Sequence, residues 1–171
     1  MPRPKSYDDT AMKKWVYKVN SKVGGWHFDQ YFGYRGKKPR SMGGAEWIRS
    51  PQSWAQLRRV RKGDLFLCFQ TDERKIYGLA RAASDGYEAL PGSGRFNCID
   101  LEPRGQRLRE PLNIAKHRAL FSHVRAFTVP SRGTIHSLAE DEWRAISRLL
   151  KPLLPSPARV NSRSYLSEIS I

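Results

Sequence analysis

Between Lys18 and Arg61 the sequence interleaves two kinds of side chain that together suit one chemistry. Trp26, Phe28, Tyr31, Phe32, Tyr34, Trp47 and Trp54 are spaced by Lys18, Lys22, Arg35, Lys37, Lys38, Arg40, Arg49, Arg58, Arg59 and Arg61. Aromatic faces stack on nucleobases while cations pair with phosphates, and capture of an unstacked nucleotide needs both. The pairs Gly24-Gly25 and Gly43-Gly44 flank this stretch and let its backbone approach a ligand closely. The same rings could instead anchor a long loop to the body of the domain. What favours binding is the run of cations among and beside the rings, with Arg35, Lys37, Lys38, Arg40 and Arg49 lying between them.

The familiar catalytic constellations are missing. No glycine-rich loop runs into Lys-Ser or Lys-Thr, and Gly92 and Gly94 lack the strand-turn-helix setting that gives such glycines meaning. Four scattered histidines and two cysteines show no zinc-ligand spacing. There is no nucleophile elbow of the Gly-x-Ser-x-Gly type and no pairing of acids that suggests a glycosidase or nuclease. No metal and no cofactor are expected. The counter-reading from another class is an enzyme, such as a nuclease working through Asp64 or Asp72, and it would require a divalent metal or a cofactor.

The whole chain carries the same electrostatic message. Its 171 residues include 31 Lys and Arg against 16 Asp and Glu, a net charge of +15. Such an excess speaks to partners and not to fold; polyanions, nucleic acid first, are the natural ligands. Solubility alone rarely calls for so one-sided a balance. An anionic membrane surface would want a basic amphipathic helix, and none is evident. No apolar run approaches the ~20 residues of a bilayer span, and no signal-peptide segment follows the polar N-terminus. Cys68 and Cys98, both inside apolar runs, read as reduced core thiols, which points to the cytoplasm.

These residues must be positioned by one domain with two tails: a basic arm over 1–11, a domain over 12–151 and a Pro/Ser-rich tail over 152–171 that stays disordered or docks through Tyr165, Leu166 and Ile169. Trp15 to Val19 reads as a strand, followed by a long loop from Asn20 to Gly44. Ser50-Pro51 opens a helix with Trp54, Leu57 and Val60 or Arg61 on one face. Gly63-Asp64 is a turn, and Leu65 to Phe69 is an apolar run suited to a central strand. Asp72 to Lys75 forms a hairpin tip, Ile76 to Ala80 returns as a strand, and Phe96 to Leu101 forms another. A short helix is expected from Asn113 to Leu120. Ser137-Leu138-Ala139-Glu140 reads as a capping box before a helix whose stripe is Trp143, Ile146, Leu149 and Leu150. That helix cannot run past Pro152. The sum is an α+β fold: a curved mixed β-barrel with two or three helices packed outside.

The order of motifs resembles the EVE family of the PUA superfamily and, more distantly, YTH domains. The resemblance is carried by Trp15-Val16-Tyr17-Lys18-Val19-Asn20, Trp47-Ile48-Arg49-Ser50-Pro51-Gln52, Arg61-Lys62-Gly63-Asp64-Leu65-Phe66-Leu67 and Tyr77-Gly78-Leu79-Ala80-Arg81. Phe96-Asn97-Cys98-Ile99-Asp100, Gly133-Thr134-Ile135 and Glu142-Trp143 complete the series, so that it covers Lys14 to Leu150. The loop from Val23 to Arg40 is longer than in a typical member, and Ser50-Pro51 stands where an Asn-Tyr pair is usual. Both departures imply a differently lined pocket.

What the resemblance implies is a non-catalytic reader of DNA or RNA that takes one base, often a modified one, into an aromatic pocket. By position Trp47 is a cage wall, with Ile48 beside it, and Asn20 and Ser50 hydrogen-bond the base edge. Ser21, Trp26, Phe69 and Thr71 complete the implied pocket. Lys37, Lys38, Arg40, Arg49 and Arg58 hold flanking phosphates, and Lys18 serves either the pocket or the backbone. The alternative is a general PUA-like RNA-binding module with no extruded base. Extruding a base from a duplex costs a few kcal/mol, and stacking returns ~1–3 kcal/mol per base. A methyl mark adds only about 0.8 kcal/mol by burial. A methylated base is therefore discriminated only by a pocket left poorly filled without it, whereas a hydroxymethyl mark can be read by a hydrogen bond from Asn20, Ser50 or Thr71.

Overall fold

The aromatic and β-branched residues Trp15 to Val19 and the apolar run Leu65 to Phe69 pair as neighbouring strands, and the rest of the domain is laid on their two faces. The structure is a computed structural model that describes residues 11–24, 27–33, 46–47, 51–102, 106–128 and 134–155, with backbone alone for 24, 46 and 47. In chain order it contains β1 (Lys14–Val19), α1 (Ser21–Gly24), α2 (Phe28–Phe32), β2 (Glu46–Trp47), α3 (Pro51–Leu57), β3 (Leu65–Gln70), β4 (Lys75–Arg81), β5 (Tyr87–Glu88) and β6 (Phe96–Ile99). Then follow β7 (Gln106–Asn113), α4 (Arg118–Phe121), α5 (Arg125–Thr128), β8 (Ile135–Ser137) and α6 (Glu140–Leu150).

The main sheet has the order β7-β4-β3-β1-β8, and a smaller one has the order β2-β6-β5. β1 and β3 are parallel, from Lys14 opposite Leu65 to Val19 opposite Gln70. The other pairings of the main sheet are antiparallel. The α+β class is as predicted, but the barrel is not: β7 and β8 remain separate edges, and among the described residues no sheet closes on itself. The two sheets are linked at the Ala82–Leu101 bridge.

Every residue of β3 is buried. Phe66 and Cys68 face a core built from Trp15, Tyr17, Phe28, Tyr31, Leu57 and Ile99, which docks α2, α3 and the small sheet. Leu65, Leu67 and Phe69 face the other core, with Val16, Leu108, Trp143, Ile146 and Leu150. Alternation of side chains along a strand assigns these sets to opposite faces. Cys68 and Cys98 are buried and unlinked. No helix among the described residues is long and apolar enough to cross a membrane.

Local chemistry accounts for the elements the sequence places wrongly or misses. The final helix begins two residues later than the capping box predicts. Ser137 is drawn into β8 opposite Trp15, Ala139 becomes the N-cap, and Glu142 Oε2 accepts the Ala139 N–H at 2.9 Å. Alanine cannot return a side-chain bond, so only half of the box survives. β7 hides behind Arg107, Arg109, Glu110 and Pro111, residues that an edge strand tolerates because one side faces water. The expected helix after Asn113 is a 3₁₀ turn, Ile114–His117, capped by Asn113 Oδ1 on Ala115 N–H at 2.9 Å and continued by α4. α3 buries Ser53 and Leu57 with Trp54 half-buried, and Ser53 Oγ accepts the N–H groups of Thr134 (2.7 Å) and Ile135 (3.0 Å), tying it to β8. At Gly78 a Cβ would stand 2.4 Å from the Gln106 carbonyl oxygen and 2.7 Å from the Phe32 ring, so only glycine lets β7 and α2 approach β4 together.

Asp64, the acid of the Gly63-Asp64 turn, is a buried fastener. Its carboxylate accepts the Lys13 N–H (2.9 Å), the Trp15 indole N–H (2.9 Å) and the Arg61 N–H (3.0 Å). Asp64→Ala strands these donors where water is scarce, and each unsatisfied one costs about 1–3 kcal/mol. Chemical denaturation of Asp64→Ala should show a loss of about 3 kcal/mol or more; a loss below about 1 kcal/mol would remove Asp64 from this role.

Candidate nucleic-acid interface

The parallel strands β1 and β3 end side by side, and the residues just beyond them satisfy the loose backbone groups. Thr71 donates both its N–H (2.8 Å) and its hydroxyl (3.2 Å) to the Val19 carbonyl. Asn20 Oδ1 accepts the Lys22 N–H at 3.0 Å, closing the turn into α1. Ser21 donates its N–H (3.3 Å) and hydroxyl (2.5 Å) to the two oxygens of Asp72. Gln70 Nε2 donates to Asp72 Oδ1 at 2.6 Å, while Gln70 Oε1 accepts the Phe28 N–H at 3.2 Å and hooks α2 onto β3.

A second polar group stands behind this one. His27 caps α2: its Nδ1 accepts the Asp29 N–H at 3.0 Å, and its Nε2 lies 3.0 Å from Glu73 Oε1. A neutral ring protonated on Nε2 satisfies both contacts. Asp29 Oδ1 also lies 2.9 Å from Nδ1. Glu73 Oε2 accepts from the Tyr77 hydroxyl (2.7 Å) and Lys75 (3.2 Å), and the His27 ring stands edge-on to Tyr77 with centroids 4.9 Å apart.

Burial pushes the Asp72 carboxyl up, but the hydrogen bonds from the Ser21 and Gln70 side chains and from backbone N–H groups outweigh it and hold the group below its ordinary range. Glu73 is likewise lowered: burial opposes, and the bonds from Tyr77, Lys75 and His27 prevail. Burial pulls the Lys18 ammonium down to about 8. In the small sheet, burial and then the hydrogen bond to Asp100 push Tyr87 up to about 12, and burial followed by the Asp100 charge raises Cys98.

The residues singled out from sequence are thus partly gathered and partly separated. Asn20, Ser21 and Thr71 meet at the end of the β1–β3 ladder. Phe69 lies on the α6 face of the sheet, 4% exposed, with its ring edge-on to Phe127 at 4.9 Å; it is a core residue. Lys18 is registered opposite Phe69, and strand alternation sends it to that same face. Trp47 lies in β2, paired with Cys98 at the edge of the small sheet. Arg58 is exposed, its guanidinium 4.8 Å from the Phe96 ring centroid. Trp26, Lys37, Lys38, Arg40, Ile48, Arg49 and Ser50 lie outside the described residues.

Chemically, the strand end is a hydrogen-bonding surface. Asn20 commits its oxygen, which leaves its NH2 as the group suited to read a base edge. Among the described residues no cluster of His, Cys, Asp and Glu could hold a metal. Sequence reading missed Gln70, Asp72, Glu73 and His27 as supports. The usable signal was Gln70, a polar residue closing an apolar run, because a buried amide must find partners.

No protein-family model matches the sequence, and no curated protein matches it. Several solved structures are similar in fold. Rpa0253 from Rhodopseudomonas palustris superposes with a TM-score of 0.62 at 18% identity, over 88% of this chain and 100% of that one. The human THYN1 protein in complex with 5-methylcytosine-containing DNA gives 0.56 at 10% identity, over 85% and 99%. The DUF55 domain of human thymocyte nuclear protein 1 gives 0.56 at 15% identity, over 81% and 98%. At these identities the likeness is one of fold alone, shared with the THYN1 protein and the DUF55 domain.

Two titrations check these electrostatics. Because Asp72 is lowered on folding, its stabilisation is present above the unfolded value of 3.8 and is lost as pH falls through the folded value. Asp72→Asn should cost about 1–3 kcal/mol at pH 7 in urea unfolding, with the gap to wild type closing in acid; a gap independent of pH would refute the bonding scheme. Lys18 gives the same sign of slope in another window but costs stability at neutral pH: the unfolded chain holds this proton more tightly between pH 8 and 10.5, so stability rises with pH across that window. Lys18→Met should therefore be more stable than wild type at pH 7, with the advantage shrinking towards pH 10.

Proposed function

We propose that this domain is a non-catalytic reader that binds nucleic acid and takes a single base, methylated or hydroxymethylated, into a pocket at the end of β1 and β3. The observation that carries the reading is a fold shared with the human THYN1 protein, solved in complex with 5-methylcytosine-containing DNA, in a chain of net charge +15. Trp47 supplies the aromatic wall, with Ile48 and Trp26 beside it. Asn20, Ser21, Ser50 and Thr71 supply hydrogen bonds to the base, and Lys37, Lys38, Arg40, Arg49 and Arg58 hold the phosphates on either side.

The geometry of the strand end supports this assignment of roles. Asn20, Ser21 and Thr71 are held by bonds to Lys22, Asp72 and Val19, so a base edge meets groups that are already ordered: the Asn20 NH2 as donor and the Ser21 and Thr71 hydroxyl oxygens as acceptors. Preorganised groups lose less entropy on binding than free ones. The role of Phe69 in the implied pocket is not retained, because its ring is enclosed by the second core.

The test is a comparative titration with matched DNA and RNA oligonucleotides carrying 5-methylcytosine, 5-hydroxymethylcytosine, N6-methyladenine or no mark. One mark should bind several-fold more tightly than its unmarked control, and Trp47→Ala should erase that preference. Loss of one stacking partner costs about 1–3 kcal/mol per base, a drop of roughly fivefold to 150-fold. Equal affinity for all marks would overturn base reading. RNA preferred over DNA with no effect of Trp47→Ala would identify a general RNA-binding module instead.

A further inference from the structure

A cavity of about 330 Å³ lies between edge strand β7, the 3₁₀ turn Ile114–His117 and the last turn of α6. Leu112, Leu149 and Leu153 give it an apolar floor, while Lys116, His117 and Arg148 stand on its rim against one acid, Glu110. Lys116 and Arg148 are exposed and come from different elements. None of these residues belongs to the aromatic–basic stretch on which the reading of function rests.

The cationic rim continues towards the proposed base site. Ile114, which opens the 3₁₀ turn, donates its N–H to the Arg74 carbonyl at 3.1 Å. Arg74 sits in the β3–β4 turn with φ of 54°, a left-handed conformation that glycine and asparagine adopt at lower cost, and its side chain is exposed. Asn113, at one end of the groove, is registered opposite Lys75, and Lys75 opposite Gln70. Two ladder spacings, about 10 Å, therefore separate the groove from the strand end that bears Thr71. Successive phosphates of one nucleic-acid strand advance about 3.4 Å along the helix axis, so about three nucleotides bridge that gap.

We propose that this groove holds the sugar–phosphate backbone beside the captured base, with phosphates on Lys116 and Arg148 and sugar faces on the leucine floor. The proposal rests on the reading that the domain binds nucleic acid. Glu110 repels phosphate from the β7 side, so the path runs between the 3₁₀ turn and α6. Backbone contact carries affinity and register but no base information.

The experiment is a fluorescence-anisotropy titration of the full chain with a duplex oligonucleotide, with and without one 5-methylcytosine, from 50 to 300 mM KCl. Wild type is compared with Lys116→Gln/Arg148→Gln and with a control pair, Lys62→Gln/Arg95→Gln, of equal charge loss. Each lost phosphate contact lowers the slope of log K against log salt by about 0.9, so the groove pair should lose about 1.8 and bind at least about tenfold more weakly at 0.1 M salt. The preference between marked and unmarked duplex should not change, and the control pair should keep the wild-type slope. An unchanged slope in the groove pair, with wild type binding normally, overturns the groove and leaves base reading intact. An equal fall in the control pair assigns the effect to net charge and also overturns it. Failure of wild type to bind any oligonucleotide overturns both proposals together. Lys151→Gln, exposed just beyond α6, gives a second variant whose slope should fall by less than one contact's worth.

Discussion

The parallel pairing of β1 with β3 is the constraint on which the rest of this domain hangs. A hairpin cannot enforce it, because parallel strands need a long crossover, and here the chain wanders from Asn20 to Asp64 before it returns. Two carboxylates do the enforcing. Asp64, just before β3, takes the backbone N–H of Lys13; Asp72, just after it, takes that of Ser21. Both pairs bracket the ladder at matching offsets, so a slip of one residue would break both sets of bonds. It would also turn Phe66 and Cys68 away from the core they share with Tyr17 and Trp15.

That register decides what the candidate site can be. It brings Asn20, Ser21 and Thr71 to one strand end and sends Lys18 and Phe69 to the opposite face of the sheet. It also gathers two acids there, Asp72 and Glu73, both held low by the donors around them. A corner so supplied with negative charge suits a neutral base better than a phosphate. Among the described residues, exposed cations stand close by on Lys22 and Arg74 and further along on Lys116 and Arg148.

Legibility in the sequence followed how local the cause was. β3 and β4 were readable because an unbroken apolar run and a polar tip need no partner to be recognised. Trp143 and its stripe were readable because helical spacing is a property of the segment itself. β7 was not, since its arginines and Pro111 are acceptable only at a sheet edge, and edge position is a fact about neighbours. α2 leaves no such signal, because its five residues owe their helix to a cap from His27 and a hook from Gln70.

The sequence by itself determined the α+β class, the charge that makes polyanions the natural partner, the strands of the central ladder and the apolar face of the last helix. These depend on composition and on spacing within one segment. Only the tertiary structure decided that the sheet stays open, that Ser137 pairs with a strand instead of capping a helix, and that Phe69 is enclosed while Thr71 is not. Those outcomes turn on which segments become neighbours, and a side chain's partner across the sheet leaves no trace in its own surroundings along the chain.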